Sequence, residues 1–170
     1  MRKKILYLVN VDWFFISHRL PIAQAAKKLN YEIHIATKIT SNKEKLISNG
    51  FQIHELNLER KSEHIFGLIF YLLKVIRIFH IIKPDIVHCI TIKPILIGGL
   101  ASFFFKKIKM VYAISGLGHV YSSNGLKAKI RKYFVDLIYK IIFSKSNFKI
   151  IFQNKFDKKL LERISKHSKK

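Results

Sequence analysis

Cysteine is almost missing from this 170-residue chain: Cys89 stands alone, which excludes a disulfide framework. Proline (3) and glycine (7) are scarce too, so collagen-like repeats and flexible low-complexity linkers are excluded. No apolar run reaches the roughly 18 residues of a membrane-spanning helix. The longest, residues 65–73, ends at Lys74. The basic start Met1-Arg2-Lys3-Lys4 is followed by only five apolar residues, too few for a signal-peptide core. These absences predict a cytoplasmic protein. No GxGxxG and no GxxxxGK[ST] occurs, which argues against a dinucleotide enzyme and a P-loop ATPase. Eight histidines are present, yet no His-x3-His or Cys-x2-Cys spacing, so no metal site is expected.

Acidic residues are the last scarcity, 10 against 32 Lys and Arg, for a net charge of +22. Such an excess points to an anionic partner: membrane surface, phosphate-bearing substrate or nucleic acid. Hydrophobic residues make up 49% of the chain, enough for one domain with a core of its own. Short Ile/Val-rich runs at residues 5–10, 32–37, 51–56, 85–91, 109–114 and 149–153 read as strands. Between and after them, residues 17–29, 42–48, 64–82, 94–105, 127–143 and 155–166 read as helices. This alternation predicts an α/β fold, a Rossmann-like, doubly wound parallel sheet of about six strands covered by helices.

Two helices carry informative patterns. In 127–143, Ile130, Tyr133, Phe134, Leu137, Ile138 and Ile141 form one apolar stripe, the side a helix turns to its core. In 64–82, Ile65, Leu68, Ile69, Leu72, Ile76 and Phe79 should face the sheet. The opposite side then carries Phe70, Ile78 and Ile81 around Lys74 and Arg77. Apolar residues interleaved with long cations suit a bilayer interface. A neighbouring helix or a further domain would cover that side equally well.

Ligands of open α/β sheets bind beyond the carboxyl ends of the strands. The loop after the first strand holds no glycine but does hold Ser17, His18 and Arg19. With Ser17 as N-cap, Arg19 falls in a first helical turn, where a cation is easiest to understand if an anion is shared with it. The structural alternative pairs Arg19 with Asp12 or Glu55. After the fifth strand come Ser115, Gly116, Leu117, Gly118 and His119; the glycines allow close backbone approach to a ligand. His119 is a candidate donor or base, and a solvated loop histidine is the plainer reading. Glu55 and Glu63 form an E-x7-E match without glycine-rich context, read as coincidence.

Three segments, WFFISHRLPIAQAAKKLNYEIHIAT (13–37), PDIVHCITIKPILIGGLAS (84–102) and VYAISGLGHVYSS (111–123), resemble the N-terminal domain of glycosyltransferase family 4. More narrowly, they resemble bacterial enzymes that build capsule, O-antigen or protein-linked glycans on polyprenyl diphosphate carriers. The resemblance implies a GT-B enzyme, two Rossmann-like domains around a cleft. Its first domain receives the acceptor and often touches the membrane. Its second binds the nucleotide sugar, and transfer retains configuration without metal. On this resemblance Ser17, His18 and Arg19 border the acceptor pocket. His88 and Thr91 match the exit of strand four, and Ser115, Gly116, Leu117 and Gly118 line the cleft. Departures are visible: Ile90 and Ser115 stand where many relatives carry histidine, and glycines after strand one are lacking.

The resemblance therefore predicts the acceptor-binding half of a retaining hexosyl- or N-acetylhexosaminyltransferase, spanning residues 1–170. The donor domain lies outside the chain, which would be inactive alone. It would be a truncated or frame-split product, or one subunit of a two-chain transferase. Expected partners are a lipid-linked oligosaccharide, an anionic membrane at the inner face of the plasma membrane, and a separate donor-binding domain or chain. No cofactor is expected, because the nucleotide sugar belongs to the other domain, and no nucleic acid, because no aromatic-basic platform or helix-turn-helix motif supports it. A non-catalytic basic module that docks on membrane is the alternative from another class.

Overall fold

The computed structural model describes residues 2–56, 65–117, 121 and 125–166. It is one parallel sheet of six strands in the order β3-β2-β1-β4-β5-β6, the doubly wound Rossmann arrangement expected from the alternation of runs. The strands are β1 (Lys4–Val11), β2 (Glu32–Lys38), β3 (Gln52–Glu55), β4 (Ile86–Ile90), β5 (Lys109–Ile114) and β6 (Phe148–Phe152). The helices are α1 (Asp12–His18), α2 (Leu20–Lys28), α3 (Lys43–Ser48), α4 (Ile65–Ile82), α5 (Ile92–Ala101), α6 (Leu126–Phe143) and α7 (Lys155–Lys166). A 3-10 turn, Ser102–Phe104, follows α5.

Alternation along the strands divides the interior into two cores, because successive side chains leave a strand on opposite faces. Ile5, Tyr7 and Val9 of β1 join Phe15, Ala23 and Leu46 of α1, α2 and α3. Leu6 and Leu8 join Val75, Phe79, Ile97, Tyr139 and Leu161 of α4 to α7. Both faces of the sheet are thus covered, and the strands tolerate near-continuous apolar sequence.

Helix α5 lies deepest. Seven of its residues are buried, which two glycines make possible. A Cβ on Gly98 would meet Cys89 Sγ at 2.5 Å, and one on Gly99 would meet Ile142 Cγ2 at 2.7 Å. Gly98 therefore brings the helix onto the strands, and Gly99 brings α6 onto the helix. The Cys89 thiol is buried beneath α5, and burial pushes its pKa well up.

Three expectations from the sequence are corrected. The 17–29 helix is two helices: α1 begins at Asp12, and the chain breaks at Arg19 (φ −130°) before α2. Pro21 near the start of α2 explains the break, since proline fits a first turn but cannot donate into a preceding one. Ser17 consequently lies in the last turn of α1 rather than capping a helix, and its hydroxyl donates to Trp13 O at 2.9 Å. In α6 the buried stripe is Ala128, Val135, Tyr139 and Ile142. Leu126, Ile130, Tyr133, Phe134, Leu137 and Ile141 point outward, and only Ile138 of the expected stripe packs partly on the core. In α4 the buried side chains are Tyr71, Val75, Phe79 and Ile82, while Ile69 is exposed and Ile78 packs partly on the core.

Candidate functional site

In a sheet of this order the winding reverses between β1 and β4, which opens a crevice at their carboxyl ends. Asn10 is the next-to-last residue of β1 and Thr91 follows β4, and Asn10 Nδ2 donates to Thr91 Oγ1 at 2.9 Å across that reversal. Thr91 holds φ +72°. A β-branched residue there is strained by about 1–3 kcal/mol, and such strain gathers at ligand sites. Its N–H donates to Ala113 O at 3.2 Å, which fixes it to β5.

Arg19 sits at the α1–α2 break with only 8% exposure. Its Nη1 donates to His18 O at 3.0 Å, and its Nε has no partner among the described residues. Neither carboxylate proposed for it serves. Asp12 accepts from Trp13 N, Thr40 N, Thr40 Oγ1, Ser41 N and Asn42 N, and Glu55 pairs with Lys43 at 2.8 Å. His88 is buried close by, its ring 5.3 Å from that of Tyr7, with Nε2 unpartnered among the described residues. Burial first, then the Arg19 charge, lowers the His88 pKa to about 4, so the ring is neutral at neutral pH. Burial raises Tyr7 to about 12, against the pull of Arg19. Burial also lowers the Arg19 pKa, opposed by Tyr7. One cation and two polar atoms without partners among the described residues, Arg19 Nε and His88 Nε2, thus lie together beside β1 and β4. That is the electrostatic character of an anion site.

The other expected residues separate. Ser17 and His18 are exposed and bonded to each other at 2.6 Å, with the His18 ring stacked on Phe14. Ser115 is half-buried, and its hydroxyl has no partner among the described residues. Gly116 (φ +79°) and Leu117 donate their N–H groups to Asp157, each at 3.2 Å. Those donors are occupied, and the Leu117 side chain is buried in the core. Gly118, His119 and Glu63 lie outside the described residues.

Three contributors escaped the sequence reading. Asn10 supplies the bond across the reversal. Asp12 holds the loop after β2. Asp157 holds the loop after β5 and closes a reciprocal cap with Asn154, N–H to Oδ1 at 2.8 Å and Nδ2 to Oδ2 at 2.8 Å. The Asn-x-x-Asp spacing of a capping box was a usable signal for the last.

The profile of the glycosyl transferase 4-like family matches residues 4–154. This chain belongs to that family. No curated protein sequence matches it. Among solved structures, this family member is similar to a glycosyltransferase from Rickettsia africae ESF-5 (19% identity, TM-score 0.67, covering 97% of this chain and 40% of that one). It is also similar to sucrose-phosphate synthase from Thermosynechococcus elongatus (13%, TM-score 0.66, covering 97% and 46%). A third similar structure is a UDP-N-acetylglucosamine 2-epimerase from Listeria monocytogenes (14%, TM-score 0.64, covering 96% and 42%). At these identities the likeness is one of fold. The glycosyl transferase 4-like chain spans less than half the length of each.

Proposed function

We propose that this family member is the acceptor-binding half of a retaining glycosyltransferase acting on a lipid-linked glycan, with the nucleotide sugar held by a separate domain or chain. The supporting observation is Arg19, a buried guanidinium without a carboxylate partner among the described residues, beside neutral His88 at the winding reversal. An unpaired buried cation is costly, and the diphosphate of a polyprenyl-linked acceptor would offset that cost. Thr91 and Asn10 would hold the rim rigid while the acceptor hydroxyl meets the donor sugar in a cleft closed by the other domain. Chemistry is left to that closed cleft, so the chain alone should not turn over.

A membrane face belongs to the same reading. Phe70 and Ile81 of α4 are more than half exposed, and Lys74 Nζ lies 4.4 Å from the Phe70 ring centre. With Arg77 they form a surface suited to the inner leaflet of the plasma membrane. Ile78, half-buried, adds little to it. No helix among the described residues is long and apolar enough to cross a membrane. The second reading, a non-catalytic basic docking module, keeps this surface and dispenses with the acceptor site.

Calorimetry with a short-chain polyprenyl diphosphate separates the two. Arg19→Ala should weaken binding by about 1.5–3 kcal/mol, as for a hydrogen bond to a charged group, with Arg19→Lys recovering part and the melting temperature nearly unchanged. UDP- and GDP-sugars titrated alongside should bind no tighter than millimolar. Unfolding of Arg19→Ala with affinity per folded molecule retained would make Arg19 structural and remove the acceptor site.

A further inference from the structure

We propose that the outer face of α6 is the surface on which this chain rests on an anionic lipid bilayer, an inference that builds on the membrane reading above and relocates its principal contact. Leu126, Ile130, Tyr133, Phe134, Leu137 and Ile141 are 40–75% exposed. On a helix of 3.6 residues per turn they fall within about 100° of arc, a continuous apolar strip some four turns long. Single exposed apolar residues are ordinary, whereas a contiguous strip marks an interaction site. The helix does not need this strip for its own packing, because Ala128, Val135, Tyr139 and Ile142 already anchor the opposite side.

The flanking charges select the occupant. Exposed Lys127 borders the strip on one side, and exposed Lys129 and half-buried Lys140 border it on the other. The one acidic residue of α6, Asp136, accepts the Tyr121 hydroxyl and so is turned away from the strip. An apolar strip with cations along both margins matches a bilayer interface, with rings and aliphatic chains below the headgroups and ammonium groups among the phosphates. A second copy of the chain would bring the same lysines against each other, a like-charge cost that favours the lipid. Helix α4 is the weaker contact: its exposed apolar residues Ile69, Phe70, Leu73 and Ile81 span an arc that exposed Arg77 and His80 fall inside and interrupt, with Lys74 at its margin.

The test is sedimentation of the full chain with phosphatidylcholine vesicles, with and without phosphatidylglycerol. Circular dichroism melts confirm that each variant folds. Ile130→Glu with Phe134→Glu should cut the fraction bound to phosphatidylglycerol vesicles at least about tenfold, and Phe70→Glu with Leu73→Glu should cut it much less. Trp13, the single tryptophan, lies on the opposite face of the sheet. In a Trp13→Phe background, Phe134→Trp should therefore blue-shift on vesicle addition, while the wild-type signal should not. Undiminished binding of the Ile130/Phe134 pair, or an unmoved Phe134→Trp emission, overturns the assignment to α6 and leaves the membrane reading standing. No binding of wild type to either vesicle overturns both. Loss of a concentration-dependent dimer in that pair, with vesicle binding intact, assigns the strip to a second copy.

Discussion

The two helical layers of this domain are built to different rules. On the α1–α3 side the apolar core also holds buried His88 and Arg19, and the loop above it is tied by a buried carboxylate, Asp12, that accepts five hydrogen bonds. Large exposed apolar residues there are scattered: Trp13, Ile22, Leu29 and Ile47. On the α4–α6 side, α5 is swallowed between its neighbours, and α4 and α6 carry large apolar residues on their outer sides as well as their inner ones. A layer whose outer surface is polar is finished by water. A layer whose outer surface continues the chemistry of the core is finished by something else, and the lysines bordering α6 are the reason an anionic bilayer is proposed for it.

The sharpest way to break this contrast is to cut one side chain from each face of α6. Ile142 is fully buried against Gly99, so Ile142→Ala should cost about 3 kcal/mol in urea denaturation. Ile130 is half exposed, and Ile130→Ala should cost less than about 1 kcal/mol. Equal costs would mean that the outer strip is core, and the difference between the layers would vanish.

On the polar-tied side the decisive residue is Asp12. Asp12→Ala strands the N–H groups of residues 40–42 and should cost about 2 kcal/mol by the same measurement. Burial pushes the Asp12 pKa up, but hydrogen bonds from Thr40, Asn42 and Trp13 outweigh it and bring it to about 2, below the ordinary 3.8. Its contribution is therefore complete above pH 3.8 and is lost as pH falls toward 2. His88 adds an earlier loss. Its folded pKa of about 4 lies below 6.5, so neutrality stabilises the fold above pH 6.5, and that stability drains away between 6.5 and 4. Acid unfolding should show both windows in the wild type, and Asp12→Ala should remove only the lower one.

The smallest effect comes from the surface of the same layer. Lys43 and Glu55 pair at 2.8 Å with both side chains more than half exposed. Lys43→Ala should change stability by less than about 0.5 kcal/mol, and a larger loss would show that exposed charge, as well as Asp12, organises that side.

The strands were plain from the chain because a run such as Ile86-Val87-His88-Cys89-Ile90 suits burial on both faces of a sheet and little else. Helix α6 was equally plain in extent, yet its phase came out reversed. Periodicity fixes the spacing of apolar residues and says nothing about which of two apolar stripes meets the core. Here Ala128, Val135, Tyr139 and Ile142 meet the core, while Tyr133, Phe134 and Leu137 stay outside. Helix α1 hid behind four consecutive large apolar residues, Trp13 to Ile16, which show no period at all. Arg19 was visible as a misplaced cation. Its isolation was not, because that depends on Asp12 being engaged by a loop some thirty residues away in the chain.

The placement of Cys89 has a consequence for anyone handling the protein. Its thiol is sealed under Gly98 at the centre of the sheet and held protonated by burial, so an alkylating reagent finds no thiolate to attack in the closed molecule. Reaction has to wait until α5 lifts from the strands. The pace of labelling at this one sulfur is thus a clock for how often the domain opens at its middle, wound into the sequence by the scarcity of cysteine everywhere else.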